Sequence, residues 1–277
     1  MPAVVTRLRR LAEASHPGPV AAVTGASAAY AVSIGRSVAG VLLVAVAVLA
    51  GQLSVGWHND WLDAERDAAA GRLDKPVARG AIARGTVRTA ALAAGAAAVP
   101  ASLASGWRAG SVHLVAVAAA WAYNTRAKAT VVSFLPYTVA FGLLPVFVSL
   151  GASGAPLGPW WAPVASALLG TGAHLMNALP DLEDDLAAGV RGLPNRLGRR
   201  RSLAAAATLL LGASALLALH SGRPGAPGAV GLGLALVGVA LAYATAGRPA
   251  SRAPFGLTIL VALVDVALLL VEGHGAR

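Results

Sequence analysis

Nine apolar stretches follow one another along this chain of 277 residues, separated by short polar segments. Hydrophobic residues make up 57% of the sequence and charged residues 12%, well below the roughly 25% of charged residues in ordinary soluble domains. A run of about 20 apolar residues is long enough to cross a bilayer as a helix. The pattern therefore predicts an all-α, polytopic membrane protein with nine transmembrane helices. The predicted spans are residues 17–35, 37–57, 87–105, 110–124, 130–152, 159–180, 202–220, 227–246 and 253–272.

The basic residues indicate how these spans are oriented, because short cytoplasmic loops carry an excess of Lys and Arg. With the N-terminus inside, 18 of the 22 Lys and Arg residues fall on the cytoplasmic side. We therefore expect a multi-pass protein of the cell membrane with a cytoplasmic N-terminus. Residues 1–277 are predicted to form a single integral-membrane domain, since no soluble domain or long linker interrupts the spans.

Composition also limits the kind of partner. A net charge of +10 and a pI near 11.3 would suggest nucleic acid in a soluble chain. Here the basic residues are distributed over the cytoplasmic loops, where topology and anionic lipid head groups account for them. Membrane lipid is therefore expected as a partner and nucleic acid is not, and no obligate protein partner is evident. The absence of cysteine excludes disulfides, thiolate metal sites and cysteine nucleophiles.

Two acidic clusters interrupt the apolar pattern and hold nine of the twelve Asp and Glu residues. The first follows the second predicted span. Its members Asp60, Asp63 and Asp67 are three and seven positions apart, which places them on one face of a helix. Asn59 borders this face, whereas Glu65 is predicted to point away from it into solvent or a salt bridge.

The second cluster follows the sixth predicted span. Asn177, Asp181 and Asp185 recur at steps of four, so they are expected to share one helix face, while Glu183 lies off that face. Pro180 removes a helical hydrogen bond, and we expect it to bend the helix so that the aspartates point inward. Both clusters are predicted to face the cytoplasm.

Two oxygen-rich faces without His or Cys suit a hard cation. Mg²⁺ in particular is usually held by a few carboxylates together with phosphate oxygens of a substrate and water. Basic side chains expected on the same side of the membrane could bind the remaining phosphate oxygens. They are Arg72, Lys75, Arg126, Lys128 and Arg191. The sequence therefore predicts a Mg²⁺-dependent site for a phosphorylated ligand.

These segments resemble the motifs of the UbiA superfamily of intramembrane prenyltransferases. Residues 59–67 are similar to its N-D-x-x-D-x-x-x-D signature, and residues 181–185 are similar to its second signature, D-x-x-x-D. Residues 74–80 resemble the segment after the first signature, with Lys in place of the usual Arg. Residues 123–128 resemble the loop that contains Tyr and Lys, and residues 189–198 resemble the stretch after the second signature.

The resemblance implies a nine-helix bundle around a cavity capped by helical cytoplasmic elements. It implies Mg²⁺-dependent transfer of an isoprenyl group from a prenyl diphosphate to a lipophilic or aromatic acceptor. The residues expected to be catalytic and to bind Mg²⁺ are Asp60, Asp63, Asp67, Asp181 and Asp185. The residues expected to bind substrate are Asn59, Arg72, Lys75, Tyr123, Asn124, Lys128, Asn177, Arg191 and His174.

Several individual roles stay open at this point. Tyr123 could orient the diphosphate or anchor the chain at the membrane interface. His174 could lie near the reacting carbon as an acceptor-side base or simply pack in the core. Tyr137 and Phe141, four positions apart, could line a prenyl tunnel or pack between helices. Asp265 is isolated within the last span, either as a functional group or as a neutral, hydrogen-bonded carboxyl.

The function also has alternatives. A UbiA-type terpene cyclase would ionise the same prenyl diphosphate without an external acceptor. Transfer to a sugar phosphate would call for further basic groups. A cation transporter would place its acidic residues near the bilayer midplane, whereas here they lie at predicted helix ends. Chain length of the prenyl group, acceptor and oligomeric state do not follow from the sequence.

Overall fold

The structure is a computed structural model that describes residues 2–152, 158–220, 225–245 and 253–275. These ranges contain eleven α-helices, a short 3₁₀ turn at Ala127–Ala129 and no β-strand, so the all-α prediction is confirmed. The helices are α1 (Pro2–Ala14), α2 (Pro17–Ser33), α3 (Val38–Ala69), α4 (Arg84–Leu103), α5 (Trp107–Thr125), α6 (Leu135–Leu150), α7 (Trp161–Asn177), α8 (Leu182–Ala187), α9 (Leu193–Leu219), α10 (Ala226–Thr245) and α11 (Ala253–Gly275).

Among the described helices, all except α1 and α8 overlap one of the predicted apolar stretches. Four of them, α3, α4, α9 and α10, are each long and apolar enough to cross a membrane, and α6 is apolar but shorter. These helices fit a multi-pass membrane protein, while the number of nine spans stays a prediction. α3 is longer than its predicted span, because the same helix continues through the first acidic cluster to Ala69.

The described helices form a closed ring. Helices that follow one another in the chain pack together from α2 to α7. α9 then packs on α7, α10 on α9, and α11 on α10. The ring closes because α11 packs back on α2. Its main core is a cluster of buried side chains that includes Tyr30, Val44, Phe147, Trp161 and Leu217.

This core lies far from the acidic clusters. Val44 precedes Asp60 by 16 positions on α3, a distance of about 24 Å along a helix that rises 1.5 Å per residue. Phe147 lies near the end of α6 and Trp161 at the start of α7, again at the opposite end from the second cluster. The core therefore fills one end of the ring, and the polar residues collect at the other.

The helix that was predicted to bend at Pro180 ends before this residue instead. α7 ends at Asn177, and the backbone passes through a turn before α8 begins at Leu182. Asp181 occupies the position that precedes the first turn of α8, with φ −103°. Proline lacks an N–H and disfavours helical backbone in the residue before it. The predicted single helix face through Asn177, Asp181 and Asp185 is therefore wrong, because these residues lie on two helices and the turn between them.

The corner between α1 and α2 presses directly against α3. A Cβ atom at Gly56 of α3 would lie 2.3 Å from the carbonyl oxygen of Ser15, so only glycine permits this approach. The next residue, His16, has φ 59°, in the left-handed region that few non-glycine residues adopt. The contact brings the start of α2 to the same end of α3 as the first acidic cluster.

We expect Gly56→Ala to destabilise the protein, because the added methyl group forces the Ser15 backbone away from α3. Overpacking of this kind typically costs about 1–3 kcal/mol. Gly25→Ala is the matched control, since a Cβ at this helical glycine meets nothing within 4 Å. Thermal stability of the purified protein in detergent, followed as loss of the monodisperse species, measures the difference. Equal melting of the two variants would contradict the close approach.

Candidate active site

A cavity of about 500 Å³ lies at the end of the ring where α3 and α7 end. Its lining includes every residue predicted to bind metal or substrate except Arg126 and Arg191. Both acidic clusters therefore face one space, although they are more than a hundred positions apart in the chain. Other parts of the lining are apolar and come from α2, α3 and α6. They include Val20, Val23, Val55, Ala140 and Phe141.

The three aspartates of α3 are almost completely buried. Asp60, Asp63 and Asp67 are 2%, 5% and 4% exposed. An isolated buried carboxylate would cost several kcal/mol of desolvation, so each must have a cationic or hydrogen-bonding partner. These partners come from other segments of the chain as well as from the next turn of α3.

Lys75 lies between two of these carboxylates. Its Nζ is 3.0 Å from Asp60 Oδ1 and 2.9 Å from Asp67 Oδ2. His16 Nε2 lies 2.9 Å from the same Oδ1 of Asp60. Burial by itself would lower the pKa of Lys75, but the two carboxylates outweigh it and the net pKa is raised. Lys75 is therefore held as a cation between Asp60 and Asp67.

Asp63 has a separate set of partners. Lys128, from the segment after α5, forms an ion pair with its Oδ1. Arg66 donates to Oδ2 at 2.8 Å, and Asn59 Nδ2 donates to the same oxygen at 3.1 Å. Burial lowers the pKa of Lys128, and the neighbouring Asp63 carboxylate offsets only part of this effect.

The second acidic cluster completes the cavity from the turn after α7 and from α8. Arg72 Nη1 lies 3.2 Å from Asp181 Oδ1, and the same guanidinium donates to Asp74 at 3.1 Å. Its hydrogen bonds to Asp74 and the nearby Asp181 charge raise the pKa of Arg72. Asp185 also lines the cavity, and burial raises the pKa of its carboxyl group. Arg72 thus joins the segment after α3 to the turn between α7 and α8.

Amide side chains lie among these charged groups in the cavity lining. Asn124, buried near the end of α5, donates from Nδ2 to the carbonyl oxygen of Val55 at 3.0 Å. Its Oδ1 lies 3.4 Å from Asn59 Nδ2. Asn177 lines the cavity as an exposed side chain at the end of α7. Asn59 and Asn124 therefore connect α3 to α5 next to Asp63.

An aromatic cluster forms one wall of the cavity. The ring of Tyr137 lies 5.0 Å from that of Tyr123, 4.9 Å from that of His174 and 6.1 Å from that of Phe141. His174 is 2% exposed, and its Nε2 lies 3.0 Å from Ser133 Oγ. The placement agrees with the interpretation of Tyr137 and Phe141 as cavity-lining residues.

Other predicted residues lie outside this arrangement. Arg191 is exposed and does not line the cavity, and Arg126 is exposed as well. Glu65 is exposed and pairs with Arg84, as predicted for a residue off the acidic face. Asp265 is completely buried in α11 but is not part of the cavity lining.

The sequence did not reveal the roles of His16 and Arg66. Arg66 is three positions after Asp63, so helical spacing offered a signal for this pair. His16 lies 44 positions before Asp60, and no spacing rule connects them. The contact depends on the corner between α1 and α2, which only the folded chain defines.

The donor set fits a hard cation chemically, since all five predicted ligands are carboxylates. In the described ranges no three His, Asp or Glu side chains lie close enough together to form a ready metal site. The carboxylates instead hold the ammonium groups of Lys75 and Lys128. A divalent cation bound by these carboxylates would therefore compete with the two lysines for them.

Solved structures with the same fold include several UbiA homologues. The apo structure of a UbiA homolog from Aeropyrum pernix K1 matches with a TM-score of 0.72 and 21% identity, over 91% of this chain and 97% of that one. A UbiA homolog from Archaeoglobus fulgidus bound to GPP and Mg²⁺ matches with a TM-score of 0.72 and 19% identity, over 96% and 99%. A structure of digeranylgeranylglyceryl phosphate synthase matches with a TM-score of 0.69 and 18% identity, over 97% and 99%.

No curated protein sequence matches the chain. The family model described as the UbiA prenyltransferase family matches residues 20–264, a range that extends from α2 into α11 and contains both acidic clusters. The sequence motifs and all of the predicted site residues fall within this range. The chain belongs to the UbiA prenyltransferase family.

Proposed function

We propose that this protein transfers an isoprenyl group, within the membrane, from a prenyl diphosphate to a lipophilic or aromatic acceptor in a Mg²⁺-dependent reaction. The observation that carries the proposal is the convergence of seven aspartates, among them the five predicted metal ligands, and four Lys and Arg side chains on one cavity with an apolar and aromatic wall. We place this cavity on the cytoplasmic side, as the distribution of Lys and Arg predicts, in a single membrane domain.

The polar part of the cavity has the composition that a metal diphosphate requires. Asp60, Asp63, Asp67, Asp181 and Asp185 are the residues that would hold Mg²⁺. Bound there, Mg²⁺ would neutralise the diphosphate and stabilise the charge that develops on it as a leaving group. The homologue from Archaeoglobus fulgidus, whose structure contains GPP and Mg²⁺, supports this assignment by its shared fold.

Lys75, Lys128 and Arg72 have two roles in the proposal. Without ligand, Lys75 and Lys128 neutralise the buried carboxylates of α3, with Lys75 within 3.0 Å of both Asp60 and Asp67, and Arg72 pairs with Asp181. When a diphosphate enters, its oxygens offer these cations new partners, and charge-assisted hydrogen bonds form to them. Binding of the diphosphate thereby frees the carboxylates to bind Mg²⁺, which neutralises the diphosphate.

The apolar and aromatic wall serves the other half of the substrate. As the C–O bond to the diphosphate breaks, its electron pair leaves with the diphosphate and an allylic cation remains. The ring faces of Tyr123, Tyr137 and Phe141 stabilise positive charge through their quadrupoles. Neighbouring aliphatic side chains exclude water, so the acceptor forms the new bond with the prenyl carbon and then releases a proton.

The decisive experiment measures diphosphate release by the purified protein in lipid with Mg²⁺ and a panel of prenyl diphosphates, with and without candidate acceptors. We expect release that depends on Mg²⁺, stops with EDTA and rises sharply when an aromatic or other lipophilic acceptor is supplied. Sustained release without acceptor, together with a cyclic product, would contradict the transferase proposal and identify a terpene cyclase.

We expect Asp63→Asn to reduce the rate of diphosphate release by about 10²–10³-fold, the usual effect of removing one group that stabilises transition-state charge. Glu65→Gln is the matched control on the same turn of α3, because Glu65 is exposed and lies outside the cavity. To show that both variants fold, their elution volume in size-exclusion chromatography and their thermal stability are compared with those of the unchanged protein. Near-normal turnover of a folded Asp63→Asn protein would overturn the assignment.

Lys75→Met tests the double role of the basic residues. Without prenyl diphosphate, the apparent affinity for Mg²⁺ should rise by about tenfold, equivalent to about 1.4 kcal/mol, because no ammonium competes for Asp60 and Asp67. Affinity for the prenyl diphosphate should fall, since a phosphate contact is lost. Titration calorimetry measures both.

Arg79→Met is the control for this experiment. Arg79 lies in the same segment, but its guanidinium pairs with Glu13 at 2.8 Å and it does not line the cavity. We expect neither affinity to change in this variant. Unchanged Mg²⁺ affinity in Lys75→Met would contradict the proposed competition between Lys75 and the cation.

A further inference from the structure

The helix α1 has two distinct sides. Val4, Val5 and Leu8 are 62%, 65% and 61% exposed, and helical spacing places them within an arc of about 100°. Arg7 and Arg9 lie at the two borders of this arc. Exposure of an apolar strip of this kind to water is unfavourable by about 25 cal/mol per Å² of apolar surface, so a covering environment is expected.

Other positions of α1 are fixed to the protein. Trp57 Nε1 donates to the carbonyl oxygen of Leu11 at 2.8 Å, and Arg7 donates to Thr86 Oγ1 at 3.2 Å. Ala14 is buried in a cluster with Ile82 and Val87. These contacts hold α1 beside the cavity end of α3 and the first turn of α4.

This position sets the depth of α1 relative to the bilayer. Both α3 and α4 are long and apolar enough to cross a membrane, and α1 lies where their polar ends begin. A helix at that level meets the boundary between lipid head groups and acyl chains. Its apolar strip faces away from the protein.

The charge of α1 indicates which lipid head groups would suit it. The helix carries Arg7, Arg9 and Arg10 against a single acid, Glu13. Basic amphipathic helices bind anionic membrane surfaces, with their apolar face at the acyl boundary and their Arg side chains on head-group phosphates. Arg7 donates to Thr86 and Arg9 pairs with Glu13 at 3.0 Å. Both side chains are exposed at the borders of the apolar strip, so their remaining N–H groups can bind such phosphates.

We propose that α1 lies in the membrane interface beside the cavity mouth, with Val4, Val5 and Leu8 at the boundary of the acyl chains and Arg7 and Arg9 bound to the head groups of anionic phospholipid. The helix leads directly into the corner of Ser15 and His16. Binding of α1 to the bilayer surface therefore helps to hold in place the segment that contacts Gly56 and Asp60.

The absence of cysteine from the chain permits a direct test on the full-length protein. Val5→Cys and Leu8→Cys carry an environment-sensitive fluorophore on the apolar strip, and Thr6→Cys carries it on the other side as a control. Nanodiscs contain either phosphatidylcholine alone or phosphatidylcholine with 30% phosphatidylglycerol. We expect labels 5 and 8 to shift to shorter wavelength and to be quenched by spin-labelled lipid, and label 6 to be quenched by aqueous iodide.

Anionic lipid should strengthen the response of labels 5 and 8, and salt should weaken it. Combining Arg7→Gln and Arg9→Gln should reduce the anionic enhancement by about fivefold for each charge removed. Equal iodide access for all three labels would overturn the proposal. So would a response that does not depend on lipid charge, or shielding that arises only in nanodiscs holding two copies of the chain, which would identify a second copy as the cover.

Discussion

The aspartates of α3 are compensated by cations from other parts of the chain, and the rest of the site depends on this compensation. Three carboxylates on two turns of one buried helix face repel each other and lose hydration, so they cannot remain charged alone. Lys75 and Lys128 reach them as cations and His16 as a hydrogen-bonding partner, from three different segments. Each of these segments is therefore positioned by an electrostatic requirement as well as by packing.

The ring of helices makes that compensation possible. Its apolar core, around Val44 and Phe147, closes one end, and the long helix α3 projects the aspartates into the other. The backbone break at Pro180 lets Asp181 and Asp185 enter the same space from a turn and a short helix. A straight continuation of α7 would have held them in a fixed relation to Asn177. Because the helix ends, Asp181 and Asp185 line the cavity independently of the direction of α7. There Arg72 contacts both Asp181 and Asp74 and so links the two clusters.

The cavity is divided between charge and apolar surface in the way that an amphiphilic diphosphate requires. Carboxylates and basic groups collect near the ends of α3 and α7, while aromatic rings and aliphatic side chains line the wall beside them. The proposed reaction uses both parts, one for the leaving group and one for the cation that remains. In the proposed interface position, α1 extends this division to the bilayer surface, with its apolar strip in lipid and its other side joined to the corner at Gly56.

The sequence by itself determined the helical class, the membrane character, and the family resemblance, because apolar length, residue spacing and the aspartate signatures are local properties. It also identified the buried face of α3, since Asp60, Asp63 and Asp67 lie on one continuous helix. The same reasoning was wrong for Asn177, Asp181 and Asp185, where a proline ended the helix that regular spacing assumes. Only the tertiary structure decided that His16 reaches Asp60, that Lys75 bridges Asp60 and Asp67, and that Arg191 stays outside. These outcomes depend on contacts between segments distant in the chain, and periodicity within one segment carries no information about them.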